Sequence, residues 1–226
     1  MPFGEMMITL DDVQCLTGLN ITGHIVRCGG RDDEAGLDII CRMLGVSRID
    51  ASTGVSKKCG NVVKLNWLLS KFVETMSTDD EAIALHRAIS FLLYTLGCII
   101  FTNKTGERVS TNYLKLLEHP DEFGSYAWGT AALAFFYRQL GLTSRANVKQ
   151  IFGYLTLLEA WIYEHFPTII HPQPNVDYRD GQPLVLRWAQ QTHASGSERS
   201  VKTYRELLDC IKTRRCCVGS TLNLLG

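Results

Sequence analysis

The stretch GSYAWGTAALAFFYRQL, residues 124–140, decides the fold class, because five aromatic residues are interspersed in it with small ones at helical spacing. As a helix it carries two apolar stripes. One stripe consists of Tyr126, Leu133, Phe136, Tyr137 and Leu140, and the other of Trp128, Ala132 and Phe135. Small residues between the rings let neighbouring helices approach closely. The pattern predicts a helix packed on two faces inside a core, and a membrane segment and an aromatic cage for a ligand are the alternatives.

Apolar periodicity predicts helices along most of the remaining chain. Capping boxes, in which a Thr hydroxyl and a carboxylate three residues later satisfy free backbone amides, begin two of these helices at Thr9 and Thr78. The second of them runs to Ile100 and is apolar nearly all round beyond Ala88, which predicts a central position in the fold. The other predicted helices cover 33–44, 112–118, a segment with inward-facing Ile151, Leu155, Leu158 and Ile162, and 197–212.

Few strands are expected. The sequence predicts a short strand at Phe3–Ile8, an extended piece at His24–Cys28, a loop at Ser47–Gly60 and an extended, proline-rich connector over 167–184. The predicted fold is therefore mainly α, a single-domain helical bundle with a few short N-terminal and connector strands. Its predicted core includes Leu92, Leu96, Trp128, Phe135, Leu155 and Trp161.

The length and the charge of the chain limit the classes of function that are expected. A chain of 226 residues buries roughly 70% of its unfolded surface, so one domain with a full core is expected. Its 23 basic and 23 acidic residues cancel, which removes the global positive field typical of nucleic-acid binders. Residues 185–217 are locally basic, with seven cationic against three acidic side chains. Residues 1–50 are locally acidic, with eight acidic against four basic side chains. Two solvated faces of opposite sign explain this uneven charge, and a docking surface is the alternative.

The eight cysteines form no CxxC pair and several fall within apolar helical patterns, as expected for reduced, mostly buried thiols of an intracellular protein. Cys15, His24 and Cys28 match no standard zinc spacing, so no metal site is predicted. Early carboxylates at Glu5, Asp11 and Asp12 argue against a secretory signal. The longest apolar run, at 88–102, is shorter than the roughly 20 residues of a membrane span, so membrane insertion is not expected.

Motifs of catalysis are missing from the sequence. GxSxG, HExxH and Walker patterns do not occur. Glu164 and His165 are adjacent and so point about 100° apart on a helix, which prevents joint acid/base action. A pyridoxal Schiff base requires a phosphate-binding loop beside its lysine, and Ser56-Lys57-Lys58 followed by Gly60 is only a faint match. We expect no enzyme activity and no cofactor.

Five blocks occur in an order typical of one family. They are GEMMITLDDVQCLTGLNITG, RAISFLLYTLGCIIFTNKTGERVSTNYLKLL, GSYAWGTAALAFFYRQL, FGYLTLLEAWIYEHFP, and PLVLRW with YRELLD. In these blocks the chain resembles the plant mobile domain, also labelled aminotransferase-like, of the Maintenance of Meristems-like family. The resemblance covers residues 3–212 and leaves 213–226 as a divergent tail. Relative to the family both ends look trimmed, so a fragment, an alternative product or a decaying transposon-derived copy is expected.

The resemblance implies a non-enzymatic nuclear protein associated with transposon silencing, genome integrity and meristem maintenance. It also implies a plant Ser/Thr phosphatase or a related nuclear protein as partner. Arginine and aromatic side chains are favoured at interfaces, so a partner-binding surface is predicted at Arg187, Trp188, Tyr204 and Arg205. Ordinary packing and solvation of these four is the alternative. A rival hypothesis is a transposon-derived nucleic-acid-binding protein that uses the basic segment 185–217.

Overall fold

The computed structural model describes residues 5–27, 36–56, 59–72, 80–102, 106–145, 151–188 and 201–210. Its helices are α1 (Leu10–Thr17), α2 (Gly36–Leu44), α3 (Arg48–Gly54), α4 (Leu65–Phe72), α5 (Glu81–Thr95), α6 (Trp128–Thr143), α7 (Leu155–His165), α8 (Pro167–Ile170) and α9 (Val201–Asp209). A π-helical turn, Leu96–Ile100, continues α5, and 3-10 turns lie at Thr111–Leu117, Pro120–Ser125 and Leu184–Arg187. The strands are β1 (Val55–Ser56), β2 (Cys59–Lys64) and β3 (Arg108–Ser110). The prediction of a mainly α fold with few short strands is confirmed.

Contacts divide the chain into two compact units, Asn20–Leu155 and Met1–Leu19 with Thr156–Gly226. The domain bounds inferred from the sequence, 3–212, stay a prediction. Helices α2 to α6 and the sheet belong to the first unit. Helix α1 and nearly all of α7, together with α8 and α9, belong to the second.

The small sheet replaces a predicted loop. Its strands lie in the order β1-β2-β3, all antiparallel, with Val63 opposite Val109. The prediction of a loop at Ser47–Gly60 is wrong, because the Ser47 hydroxyl accepts from the Asp50 amide and so caps α3. The strand predicted at Phe3–Ile8 is also wrong for residues 5–8, the part that the structure describes. His24 forms only an isolated bridge to Tyr126, and Cys28 lies outside the described residues.

Helix α5 is half-exposed rather than central. Asp80 caps it by accepting from the amides of Ala82 and Ile83, whereas the predicted cap Thr78 lies outside the described residues. Leu93 and Leu96 are buried, but the Phe91 side chain is 66% exposed. The prediction of burial all round is therefore wrong, since α4 and α2 cover only part of the helix surface.

The same helix meets the length and apolarity of a membrane span. Within the described ranges, Glu81–Ile100 is the one helical stretch that is long and apolar enough to cross a membrane. Of its most apolar 18 residues, 33% are buried inside the protein. Core helices of soluble proteins meet the same criteria.

Helix α6 begins at Trp128, and the residues before it form the 3-10 turn Pro120–Ser125. The prediction of burial for the opening stretch is confirmed at its centre, since Trp128 is 2% and Phe136 0% exposed. The Trp128 indole nitrogen donates to the Phe123 carbonyl oxygen at 2.7 Å, so the buried N–H is satisfied without a ligand. The prediction of packing on two faces is wrong, and Phe135 is only half-buried, because the buried residues of α6 lie along one face: Trp128, Gly129, Ala132, Leu133 and Phe136.

In the other unit, helix α1 follows its predicted signals closely. Thr9 and Asp12 form the reciprocal capping box, and Gly18 ends the helix at φ 72°. Helix α7 departs from prediction, since Leu155 is 46% exposed while Leu157, Ala160 and Trp161 are buried. The predicted inward face of Leu155, Leu158 and Ile162 is therefore wrong, since the buried residues lie on the opposite side of α7. Both sides of this helix carry apolar residues, so periodicity alone did not specify which side is covered.

Candidate partner-binding surface

Glu164 on α7 joins two of the four residues predicted for a partner-binding surface. Its Oε1 accepts from the Trp188 indole nitrogen at 2.8 Å, and its Oε2 lies 3.4 Å from a terminal guanidinium nitrogen of Arg187. The Glu164 side chain is only 13% exposed, whereas that of Arg187 is 49% exposed. We call Glu164, Arg187 and Trp188 the Glu164 cluster.

The backbone before the cluster is held in place by hydrogen bonds. The Asn175 amide donates to the Arg187 carbonyl oxygen at 2.7 Å, and the Asn175 side-chain nitrogen donates to the Leu186 carbonyl oxygen at 2.9 Å. Pro174 and Trp188 form an antiparallel bridge. The predicted extended connector thus contains short helix α8 and then folds back on itself, so Arg187 and Trp188 are presented in a defined geometry.

Aromatic contacts fix the orientation of Trp188. The Tyr163 ring meets it edge to face at 6.1 Å, and the Arg187 guanidinium carbon lies 5.4 Å from its ring centroid, within cation–π range. The Tyr163 hydroxyl donates to Glu159 Oε1 at 2.5 Å. Burial, with this hydrogen bond adding to it, raises the pKa of Tyr163 well above its usual range. Tyr163 therefore stays protonated and acts as a donor rather than as a base.

Tyr204 and Arg205 lie on α9 and are both exposed. Within the described residues, neither has a hydrogen bond, ion pair or ring contact that joins it to the Glu164 cluster. Their neighbours Lys202 and Glu206 pair with each other at 3.9 Å along the helix. The structure thus brings together Arg187 and Trp188 from the predicted surface, and leaves the role of Tyr204 and Arg205 a prediction.

Sequence reasoning did not assign Glu164 to this surface. Its partners Arg187 and Trp188 are 23 and 24 residues away, beyond the reach of any helical spacing. Neighbouring His165 turns away, as expected, and its Nδ1 lies 2.9 Å from the Trp161 carbonyl oxygen. The sequence carried no signal for the contact, because the low exposure of Glu164 is known only from the fold.

The residues that the structure describes contain no group of three His, Cys, Asp or Glu side chains that could hold a metal ion. Cys15 and Cys210 are exposed and Cys41 and Cys98 are half-buried, so the prediction of mostly buried thiols is wrong for these four. Cys28 lies outside the described residues. Lys57 and Lys58, the faint match to a pyridoxal site, also lie outside them.

Comparison with known proteins identifies relatives across nearly the whole chain. The sequence model of the plant mobile domain matches residues 1–218. Over 210 residues the chain is 39% identical to Protein MAIN-LIKE 2 of Arabidopsis thaliana, covering 92% of this chain and 30% of that protein. Identity to Protein MAINTENANCE OF MERISTEMS of the same plant is 34% over 208 residues, which cover 92% of this chain and 41% of that protein.

A further relative carries a phosphatase name. The chain is 29% identical over 220 residues to the Serine/threonine-protein phosphatase 7 long form homolog of Arabidopsis thaliana, covering 92% of this chain and 16% of that protein. The chain thus spans less than half the length of these curated relatives. No solved structure gives a significant match.

Proposed function

We propose a function from one premise: the chain belongs to the plant mobile domain family. The proposed function is that of a non-enzymatic, nuclear protein-interaction module in transposon silencing, genome integrity and meristem maintenance. Similarity to a protein named for the maintenance of meristems supports the last of these roles.

The Glu164 cluster is the observation that carries the proposal. Arginine and tryptophan dominate the energetics of many interfaces when they are presented as rigid anchors. Glu164 holds both side chains through one largely buried carboxylate, so less conformational entropy is lost when a partner binds. Half of the Arg187 side chain remains exposed, which leaves donors for a carboxylate or phosphate of the partner.

A Ser/Thr phosphatase or a related nuclear protein is the proposed partner. The relative named as a phosphatase 7 long form homolog supports this choice, since the matched region makes up only 16% of that protein. A family domain within a longer phosphatase-named chain is consistent with a module that brings a phosphatase to other proteins. The activities of the full-length relatives are extended to this chain only as a proposal.

Affinity purification from plant nuclear extract tests the function. The tagged chain is purified with and without nuclease, beside Arg187→Glu and the control Arg179→Glu, which changes an exposed arginine outside the cluster. We expect a phosphatase or silencing factor to be recovered equally with and without nuclease, and to fall at least about tenfold with Arg187→Glu only, because the carboxylate repels Glu164 and the partner's anion. Equal recovery by Arg187→Glu and the native chain contradicts the surface assignment.

The comparison of purifications with and without nuclease also tests the rival hypothesis of nucleic-acid binding. Within the described part of the basic segment, Arg187 and Lys202 already pair with carboxylates. Loss of every partner on nuclease treatment, together with direct DNA or RNA binding that falls steeply with salt, would favour the rival instead.

A further inference from the structure

A second surface lies in the unit Asn20–Leu155, along a groove between α4 and α5. Leu69 and Phe72 of α4 line one side, and Arg87, Ser90, Phe91 and Tyr94 of α5 line the other. We call it the α4–α5 groove. None of its residues belongs to the Glu164 cluster or to the four residues predicted from the sequence.

Large apolar side chains in the groove are exposed. Phe91 is 66% exposed and Leu69 41% exposed. An aromatic ring that is two-thirds exposed on a helix loses the stabilisation that burial of its apolar surface would give. A partner that covers Phe91 and Leu69 therefore gains affinity from surface that the described fold leaves in water.

Arg87 restricts what this partner can be. Its half-buried side chain lines the apolar groove and forms no hydrogen bond or ion pair with any residue that the structure describes. Covering an unpaired guanidinium with an apolar surface is costly, because the charge loses water without gaining a partner. A segment that covers the groove must bring a carboxylate to Arg87.

The lining residues of α5 extend over about two helical turns. Arg87 and Tyr94 are seven residues apart on α5, which corresponds to about 10 Å along the axis. An amphipathic helix spaces its apolar residues at i, i+3 or i+4, and i+7, so two turns cover the same distance. A carboxylate at one end of that stripe reaches Arg87 while apolar side chains meet Phe91 and Leu69.

We propose that the α4–α5 groove binds an amphipathic helix of a partner protein, whose apolar stripe packs on Phe91 and Leu69 and whose carboxylate pairs with Arg87. The proposal deepens the interaction function and rests on it, but it assigns a surface different from the Glu164 cluster. The two assignments can therefore fail separately.

Peptide display tests the groove with a defined probe. A library of random 16-residue peptides, biased toward helix formers, is selected on the purified 226-residue chain. We expect the selected peptides to carry three apolar residues at helical spacing and an Asp or Glu next to that stripe. Binding of a selected peptide should weaken at least about tenfold with Arg87→Glu and with Phe91→Ser. Replacing the peptide's acidic residue by Lys should restore binding to Arg87→Glu, because the charges are then exchanged.

Matched controls separate the groove from general damage. Arg138→Glu changes an exposed arginine elsewhere in the same unit, and Ile49→Ser removes a side chain that is 82% exposed. Both controls should bind the selected peptides as the native chain does. Selected peptides that bind Arg87→Glu and Phe91→Ser at full strength, or a selection without helical or acidic enrichment, would overturn the proposal.

Two further measurements test whether a membrane or a second copy of the chain occupies the same apolar face. Co-sedimentation with vesicles of phosphatidylcholine and phosphatidylserine that requires Phe91 would assign the face to a membrane, and a Phe91-dependent dimer in analytical ultracentrifugation would assign it to a second copy. Either outcome overturns the proposal. Arg187-dependent capture of a nuclear protein alongside a failed peptide selection would retain the interaction function and remove only the groove.

Discussion

Gly97 shows how one residue constrains the fold. It lies in the π-helical turn after α5, and an added Cβ would lie 2.6 Å from Val109 Cβ and 2.9 Å from Leu65 Cδ2. Alanine normally stabilises a helix by up to about 1 kcal/mol relative to glycine. Here the steric overlap outweighs that preference, because β3 and the start of α4 contact the helix directly.

Gly97→Ala is expected to lower the free energy of unfolding by about 1–3 kcal/mol, the usual cost of overpacking. Urea denaturation followed by circular dichroism measures the change. Gly141→Ala on α6 is the control, since its Cβ would meet nothing within 4 Å and should leave stability unchanged or raised. If both variants lower the urea midpoint equally, the close approach of Val109 and Leu65 to Gly97 is not the cause of the lost stability.

Glu164 has a different local effect, because it satisfies a partly buried donor. Glu164→Ala leaves the Trp188 N–H without its acceptor and should cost about 1–3 kcal/mol of unfolding free energy. Glu164→Gln keeps a carbonyl oxygen for Trp188 and loses only the ion pair to Arg187, so its cost should be smaller. Guanidinium denaturation of the two variants distinguishes them, and equal losses would contradict the role of the indole hydrogen bond.

At the scale of elements, a polar contact ties α3 to α4. Lys71 Nζ lies 3.0 Å from Asp50 Oδ1, and the Ser47 hydroxyl also bonds Asp50. The hydrogen bond from Lys71, followed by that from Ser47, lowers the pKa of the Asp50 carboxyl. A folded-state pKa below the unfolded value gives stability that is present above the unfolded pKa and is lost as pH falls through the folded pKa.

Lys71→Met should therefore raise the pKa of Asp50 toward the ordinary value of an aspartate, and reduce the loss of stability between neutral and acid pH. The carbon chemical shift of the Asp50 carboxyl, followed by NMR against pH, measures this directly. Arg138→Met on α6 provides a control that removes an exposed cation elsewhere in the same unit. An unchanged Asp50 titration in Lys71→Met would contradict the contact.

At the scale of the whole molecule, stability depends on an aromatic cluster contributed by several elements of one unit. Phe123 stacks on Trp128 at 4.7 Å, Phe101 stacks on Tyr113 at 4.8 Å, and Phe101 meets Phe135 edge to face at 5.3 Å. Trp128 and Phe101 lie 6.4 Å apart and join the two pairs. The stretch at 124–140 thus supplies a central part of a core.

Trp128→Ala should lower the free energy of unfolding by about 3–5 kcal/mol, since it removes both the ring contacts and a buried volume. Thermal denaturation measures the loss, and Phe91→Ser, which changes an exposed ring, should differ little from the native chain. A fully stable Trp128→Ala protein that loses binding of a small aromatic ligand would favour the aromatic cage instead of the core.

Sequence alone determined the features that depend on near neighbours along the chain. Helical periodicity and the cap residues Thr9 and Gly18 act within a few residues, so the mainly α class and α1 were predictable. The burial of Trp128 followed from its place between small residues. The family blocks were also readable, since they are patterns of residues in order.

Tertiary structure decided everything that depends on distant partners. Strands β1 and β3 are too short for a periodic pattern, and β2 shows no apolar alternation. The sheet depends on pairings between distant residues, such as Val63 with Val109, 46 positions further along. The exposure of Phe91 and Leu155 depends on which helix surfaces neighbours cover, which periodicity does not specify. The contact of Glu164 with Trp188 likewise arises where the chain folds back, because only folding brings a buried carboxylate and its donors within hydrogen-bonding distance.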